Sequence, residues 1–418
     1  MEHIVSAMPF YYGASEEAPN TALVSVELKD EIRHEILRDV VSKVMERYPY
    51  FMVRAVVHGN EYVLEENQEP IAVVAGEGPV TLGGSEANGH LLAFSCEGSR
   101  INLSFFHGLA DGAGIFPLLR SVLYYYCSEY YGQKIDAEGI RLIGSAIPDQ
   151  EVEDPYPNAV DDAITPMGRY KGKPAFQLCD GGLVKERGQY FSRIRIPEDA
   201  FLKYTKANDG SPATMVSVFL YQAISELHEE ESKPIVCGMA MNIRPVLDKP
   251  LCHHSVVSQL FLEYKPSMKT MDIQTLATCS RGMVILQSQP ENVWTSVRNN
   301  LSFFEQLRKM PDLSQRQEYM KQVVARSMQM DTYKVSYVGK AALGDAGKYV
   351  TAIDSYVDIG GAGIMVEINA LNGFFHLCFM QEFAEDIYVN SFIRQLEKAG
   401  IPCEKDGSGE FRIPGIHL

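Results

Sequence analysis

The sequence predicts an α/β protein in which sheets are flanked by helices, divided between two domains. At 418 residues the chain is longer than one hydrophobic core usually supports. Hydrophobic residues make up 46% and charged residues 22%, which is ordinary for a globular protein with a large core. Strand-like and helix-like patterns alternate along the chain, and the opening order of elements recurs after a segment rich in Pro, Gly and Asp at 147–188.

The first half predicts a sheet with helices packed against it. Val24, Val26 and Leu28 alternate with polar residues and predict a strand, after which Asp30 is expected to cap a helix that ends before Pro49. The other predicted elements are a hairpin of strands 51–58 and 61–65, a pair of strands 91–95 and 101–106, and a helix over 114–131.

The second half repeats the strand and helix patterns and ends more distinctly. Asn372-Gly373 separates two apolar strands and is a strong signal for a tight hairpin turn. The predicted strands are 189–196, 234–243, 256–264, 332–338, 364–371 and 374–382, and the predicted helices are 197–207, 211–227, 272–310 with a break at Pro290, 315–328 and 385–399. We therefore expect an N-terminal domain at 1–165, a linker or crossover at 166–188 and a C-terminal domain at 189–418.

The most informative stretch runs from His107 to Gly112. It places a histidine, an aspartate and a glycine at fixed spacing directly after an apolar strand and before a helix. A neutral imidazole, with an ordinary pKa near ~6.5, can accept a proton from an alcohol, amine or thiol at neutral pH. Asp111 is expected to orient the local structure, and Gly112 leaves the backbone open to close approach. A histidine in an ordinary loop is the alternative interpretation of this pattern.

A buried aspartate needs a cationic partner, because an unpaired carboxylate in an apolar site is strongly destabilising. Arg244 in Met241-Asn242-Ile243-Arg244-Pro245 is the candidate, since it follows an apolar strand and a guanidinium can clamp a carboxylate with two hydrogen bonds. A surface arginine in a turn is the alternative.

These residues resemble a superfamily that contains chloramphenicol acetyltransferase, the condensation domains of peptide synthetases, the plant BAHD acyltransferases and the alcohol acetyltransferases. The stretch from His107 to Gly112 is similar to its His-x-x-x-Asp-Gly motif, and that from Met241 to Pro245 to the strand whose arginine pairs with the motif aspartate. Val335-Ser336-Tyr337-Val338-Gly339 is similar to a late Ser-Asn-x-Gly strand. The order of elements extends the resemblance over nearly the whole chain.

Departures from the family patterns narrow the subgroup. Condensation domains normally carry two adjacent histidines, whereas Phe106 precedes His107 here. BAHD enzymes carry Asp-Phe-Gly-Trp-Gly, which the segment starting at Asp358 matches only at its first and third positions. By elimination the chain is closest to the bacterial alcohol acetyltransferase-like proteins.

The resemblance implies two α/β sandwich subdomains like chloramphenicol acetyltransferase, with a tunnel between them and His107 at its middle. It implies an acyltransferase that moves an acyl group from a thioester, with acyl-CoA as the favoured donor, to a hydroxyl or amine of a small acceptor. The transfer would be direct, with no acyl-enzyme intermediate. His107 would be the general base, Ser336 and the Gly112 amide would stabilise the oxyanion, and Asp111 with Arg244 would hold the loop.

The identity of the thioester donor stays open at this stage. A basic cluster is a candidate for the phosphates of coenzyme A, with a solvated linker as its alternative: Lys171, Lys173, Lys185 and Arg187. A carrier-protein thioester, as in condensation domains, is the second donor, although carrier proteins are acidic and this chain is too. A noncatalytic binding protein of the same fold is a third interpretation, against which the intact His107 and Asp111 argue.

Charge and composition exclude several other function classes. The net charge of −16 opposes binding to nucleic acid and to anionic membranes. The eight cysteines include no Cys-x-x-Cys pair, and Cys252-His253-His254 is not expected to bind metal because adjacent residues rarely converge on one ion. That pattern predicts a protein without a metal. No signal peptide or apolar run long enough to span a membrane is visible, so we expect a cytoplasmic protein. Because both subdomains lie in one chain, a monomer is expected.

Overall fold

A computed structural model describes residues 7–16, 18–76, 78–156, 174–359, 361 and 363–418 of the chain. Its strands, in chain order, are β1 (Thr21–Leu28), β2 (Val53–His58), β3 (Glu61–Glu66), β4 (Val73–Ala75), β5 (Leu92–Glu97), β6 (Arg100–Phe106), β7 (Arg187–Pro197), β8 (Ile235–Asn242), β9 (Val257–Tyr264), β10 (Tyr333–Lys340), β11 (Val350–Val357), β12 (Ile364–Leu371), β13 (Phe374–Phe383) and β14 (Glu404–Glu410).

The α-helices alternate with these strands, as the sequence pattern predicts. In chain order they are α1 (Met8–Gly13), α2 (His34–Val44), α3 (Gly112–Tyr131), α4 (Glu198–Ala207), α5 (Pro212–Leu227), α6 (Arg244–Leu247), α7 (Ile273–Gln287), α8 (Pro290–Arg308), α9 (Leu313–Ser327) and α10 (Ile387–Lys398).

The first sheet has five strands in the order β11-β1-β6-β5-β4. The strands β1, β6 and β5 pair antiparallel, so the chain leaves β6 at the end of the sheet where α3 begins. Helices α2 and α3 cover one face of this sheet, and their apolar residues join those of the strands in one core that includes Leu37, Leu103 and Leu119. This packing fixes the point at which β6 ends.

The second sheet has seven strands in the order β14-β7-β13-β12-β10-β8-β9. Strands β8, β10 and β12 run parallel, and the outer pairs are antiparallel. Side chains of one face, such as Cys237 and Tyr333, enter a second core with helices α5 and α10. Gly238, Gln259 and Lys334 alternate with them and lie on the opposite face, where they line a cavity.

One strand of the first sheet comes from the C-terminal predicted domain. β11, from the C-terminal half, pairs antiparallel with β1 at the edge of the first sheet. Asp354 of β11 is buried and lies 3.2 Å from Arg193 of β7 and 3.7 Å from Arg100 of β6. Charged contacts therefore join the two sheets at this edge.

The fold predicted from the sequence is confirmed: two α/β units, each a sheet with helices on one face, form the protein. The domain limits of 1–165, 166–188 and 189–418 remain a prediction, because residues 157–173 lie outside the described part of the chain. Among the described residues, no helix combines the length and apolar character that crossing a membrane requires.

Candidate active site

His107 lies directly after β6, where the strand turns toward α3. Its backbone N–H donates to the carbonyl of Asn20 at 2.8 Å, which continues the pairing of β6 with β1 for one more residue. Its ring stacks on Phe10 of α1, with centroids 5.2 Å apart and planes inclined by 5°. A backbone hydrogen bond and the stacked ring of Phe10 therefore hold the imidazole at the end of the strand.

Asp111 directly precedes α3 and does not form a hydrogen bond with His107. It is the N-cap residue, and its Oδ1 accepts from the backbone N–H of Gly114 at 2.9 Å. Oδ1 also accepts from Arg244 at 2.7 Å, while Oδ2 accepts from Arg244 at 2.9 Å and from the backbone N–H of Val256 at 2.9 Å. Four hydrogen bonds satisfy this carboxylate, which is only 2% exposed.

Arg244 reaches Asp111 from the second half of the chain and is itself fully hydrogen-bonded. Its Nε donates to the carbonyl of Cys252 at 2.9 Å, and Nη2 donates to the carbonyl of His254 at 2.6 Å. Nη1 donates to Asn242 Oδ1 at 3.2 Å in addition to Asp111. Because its five N–H groups are all used, the guanidinium at 3% exposure is a fixed bridge between α3 and the second sheet.

Gly114 allows the first turn of α3 to touch the loop that follows Cys252. A Cβ at this position would lie 1.9 Å from the carbonyl oxygen of His253, so no larger residue fits without moving backbone. A Cβ at Gly112 would meet only the side chain of Val338, at 3.3 Å. The two glycines of the motif region thus serve different purposes, close packing at Gly114 and an open helix end at Gly112.

The environment of His107 keeps its imidazole neutral. Burial lowers the pKa of His107, and the charge of Asp111 and the backbone oxygen of His107 itself only partly oppose this. Nδ1 is buried and accepts or donates no hydrogen bond to another described residue. A neutral imidazole is the form that can act as a base.

A cavity of about 1020 Å³ lies between the two halves, with His107 in its wall. Pro9 and Phe10 contribute to the wall beside His107, and strands β8, β9 and β10 with helices α8 and α9 supply most of the rest. The side chains of this wall are mostly apolar or uncharged, among them Phe261, Val293 and Phe304. This volume is at the upper end of the range for small-molecule sites.

Ser336 lies on β10, two residues before the valine that contacts Gly112. Its hydroxyl hydrogen-bonds Glu367 on the adjacent strand β12, where burial raises the pKa of Glu367 to about 7. The structure thus places β10 beside the start of α3 and engages the Ser336 hydroxyl with a buried carboxyl group.

The basic cluster divides between described and undescribed residues. Lys171 and Lys173 lie outside the described residues. Lys185 and Arg187 are exposed at the start of β7, and Arg187 Nη1 lies 3.7 Å from Glu382. Neither belongs to the described wall of the cavity, so a contact of this cluster with coenzyme A remains a prediction.

Cys252, His253 and His254 support the site through their backbones. Their carbonyls and the neighbouring amides surround Arg244, Asp111 and Gly114, and His253 Nδ1 and His254 Nε2 face carbonyls of Glu151 and Val152. Within the described ranges, no group of three or more His, Cys, Asp or Glu side chains is placed to hold a metal ion.

Two contacts of the site escape sequence reasoning. Phe10 belongs to a six-residue helix that carries no distinct periodic signal, and Val256 contributes only its backbone N–H. Neither contact is visible in residue spacing, because each depends on segments that are far apart in the chain.

Comparison with known proteins supports the fold through structure alone. No protein-family model matches the chain, and no curated protein matches it. F. graminearum TRI101 in complex with coenzyme A and T-2 mycotoxin superposes with a TM-score of 0.61 at 9% identity, covering 95% of this chain and 98% of that one. Polyketide synthase associated protein 5 from Mycobacterium tuberculosis has a TM-score of 0.57 at 13% identity, covering 94% and 95%.

A condensation domain shares the same architecture. The starter condensation domain of rhizomide synthetase RzmA, a mutant in complex with C8-CoA and Leu-SNAC, has a TM-score of 0.58 at 9% identity and covers 94% of this chain and 92% of that one. The protein therefore has the two-subdomain fold that the sequence resemblance implies.

Proposed function

We propose that the protein is an acyltransferase. It moves an acyl group from a thioester, with acyl-CoA as the favoured donor, to a hydroxyl or amine of a small acceptor. The observation that supports this most strongly is the position of His107 in the wall of a cavity of about 1020 Å³, where burial lowers the pKa of its imidazole. The clamped pair of Asp111 and Arg244 fixes the loop that carries it. A rigid base beside a volume large enough for two substrates suits direct transfer.

In the proposed reaction, Nε2 of His107 accepts the proton of the acceptor hydroxyl or amine. Because Nδ1 is buried, Nε2 is the ring nitrogen available to the cavity. The acceptor oxygen or nitrogen then attacks the carbonyl carbon of the thioester and forms a tetrahedral oxyanion. When this intermediate collapses, the carbon–sulfur bond breaks and the imidazolium returns the proton to the thiolate, which leaves as a free thiol.

The oxyanion needs a hydrogen-bond donor, and the Gly112 amide is the better supported one. It opens a helix of 20 residues, so its N–H lies at the positive end of the helix dipole. Ser336 is the second proposed donor, although its hydroxyl is shared with Glu367. Asp111 and Arg244 act on the position of the loop and touch no reacting atom.

Coenzyme A is the donor we favour. Solved structures of this fold carry coenzyme A or an acyl-CoA, and Lys171, Lys173, Lys185 and Arg187 are the proposed partners of its phosphates. A carrier-protein thioester is the second candidate, because condensation domains share the fold. The net charge of −16 opposes the docking of an acidic carrier protein.

The proposal is tested by incubating the purified protein with acetyl-CoA and a panel of alcohols and amines and following the release of free thiol. Direct transfer predicts intersecting initial-velocity patterns, because both substrates must be bound before thiol is released. Acetyl-labelled protein after gel filtration, with parallel ping-pong patterns, would contradict direct transfer. Acetyl-pantetheine on a carrier protein in the same assay distinguishes the two donors.

A further inference from the structure

One amide of the cavity wall forms a polar pair with a buried residue behind it, and the proposed reaction does not use this pair. Gln259 on β9 lines the cavity, and its Nε2 donates to Oδ2 of Asp331 at 2.7 Å. Asp331 precedes β10 and is 1% exposed. Because Gln259 Nε2 is the donor to this carboxyl oxygen, Asp331 fixes which end of the Gln259 amide faces it. The amide oxygen Oε1 is left to accept a hydrogen bond from a bound molecule.

The strand beneath this pair makes room for it. A Cβ on Gly238 of β8 would lie 2.4 Å from Oδ2 of Asp331 and 2.5 Å from Nε2 of Gln259. The φ of Gly238 is not positive, so backbone conformation does not require glycine there. We take the absent side chain as the space that the Asp331–Gln259 pair occupies.

Asp331 is costly to bury, which suggests a purpose other than stability. Burial raises its pKa, and its Oδ1 is buried without a hydrogen-bond partner. Lys334 of β10, which also lines the cavity, offsets the negative charge of Asp331. This part of the wall is therefore close to neutral, and no Asp, Glu or Arg belongs to the described lining of the cavity.

Three other amides of the wall donate hydrogen bonds to the protein. Gln287 contacts both backbone groups of Phe261, Asn292 donates to a backbone carbonyl, and Asn300 donates to Tyr156. Gln259 differs in the kind of partner, because the group that orients its amide is a buried carboxyl group rather than a backbone group or a tyrosine hydroxyl. Its Oε1 therefore has a fixed position from which it can accept a hydrogen bond from a ligand.

We propose that Gln259, positioned by Asp331, recognises a second hydroxyl group of the acceptor, remote from the group that is acylated. This inference rests on the proposed acyl transfer for the word acceptor. The substrate class is an uncharged, largely apolar alcohol with more than one hydroxyl. Gln259 is a specificity-determining residue in this account, and Asp331 is a positioning residue.

The test compares alkanols with terminal alkanediols of the same length, from six to twelve carbons. Binding is measured as the rise in Tm without any acyl donor, and turnover is measured separately as kcat/KM with acetyl-CoA. The wild type is expected to prefer the diols about threefold to tenfold, the contribution of one hydrogen bond. Gln259→Leu is expected to remove this preference while it still binds alkanols.

Two further variants separate positioning from stability. Asp331→Leu is expected to reduce the diol preference while Tm stays the same or rises, since it removes a buried, partly unsatisfied carboxylate. Gln177→Leu is the matched control. It removes a hydrogen bond to the backbone oxygen of Asp331 and is expected to leave the diol preference intact.

The outcomes for this inference and for the proposed function are distinguishable. Diol preference that survives Gln259→Leu, or a wild type without it, overturns the recognition role even if acyl transfer is observed. Diol binding that depends on Gln259 without any acyl transfer supports the recognition site and contradicts the proposed reaction.

Discussion

Truncation of Arg244 to alanine is expected to lower both stability and acyl transfer, through the same bridge. The guanidinium is 3% exposed and donates to Asp111 and to the carbonyls of Cys252 and His254. Alanine removes these donors and leaves the Asp111 carboxylate, which is 2% exposed, with only two backbone N–H partners.

The magnitude follows from the burial of the pair. Breaking a buried ion pair by removing one partner costs about 3 to 5 kcal/mol. A chain of 418 residues has an unfolding entropy of about 0.9 kcal/mol/K, so Tm should fall by about 3 to 6 °C if the chain unfolds as one unit. A shift of about 1 Å in the loop of His107 is expected to reduce kcat/KM about 100-fold.

Differential scanning calorimetry and thiol-release kinetics measure the two effects. Arg193→Ala is the control, because Arg193 is half-buried and lies 3.2 Å from the buried Asp354, but contacts neither Asp111 nor the loop of His107. We expect it to lower Tm with little change in kcat/KM. An unchanged Tm for Arg244→Ala, or equal losses of activity in both variants, would refute the reasoning.

Three other perturbations give separate outcomes. Gly114→Ala should destabilise the protein strongly, because the new Cβ meets the carbonyl of His253, whereas Gly112→Ala should fold; equal urea midpoints would contradict this. Burial raises the pKa of Glu367 from 4.5 to about 7, so the folded state holds this proton more tightly than the unfolded state. The free energy of unfolding should therefore fall by about 3 kcal/mol as pH rises from about 4.5 to about 7. In urea titrations, Glu367→Gln should remove this fall. Because burial lowers the pKa of His107, kcat/KM should fall only below about pH 6.5, and an acid limb centred above pH 7 would contradict a neutral base.

Local signals explain which elements the sequence predicts well. The hairpin around Asn372-Gly373 forms as predicted, with φ of 50° and 81° at the two turn residues, because turn chemistry depends only on those residues. The start of α2 differs from the prediction. The N-cap residue is Arg33, three residues after the expected cap at Asp30, and its side chain makes no capping hydrogen bond. Boundaries of this kind depend on packing as well as on cap residues.

Elements that depend on distant partners escape prediction. β11 contains polar Asp354 and Ser355, so it lacks the apolar alternation of a buried strand, yet both residues are buried where the two sheets meet. Its partner β1 lies more than three hundred residues earlier in the chain. Only tertiary structure shows that charged partners such as Arg193 stabilise such a strand.

The candidate site divides in the same way. The contact of Asp111 with Arg244 can be predicted because a buried carboxylate requires a cation and one arginine follows an apolar strand. Two other contacts cannot be predicted: the stacking of Phe10 on His107 and the hydrogen bond of Gln259 to Asp331. Neither residue spacing nor composition shows that His107, Phe10 and Gln259 line a common cavity.

The most direct measurement is single-turnover acyl transfer from acetyl-CoA to the best acceptor of the panel, by the wild type and by His107→Ala. The loss of a positioned general base predicts a rate lower by about 100- to 10,000-fold. His228→Ala, which alters another half-buried histidine outside the described cavity wall, should retain the wild-type rate. Equal rates for wild type and His107→Ala would contradict the assignment of His107 as the base.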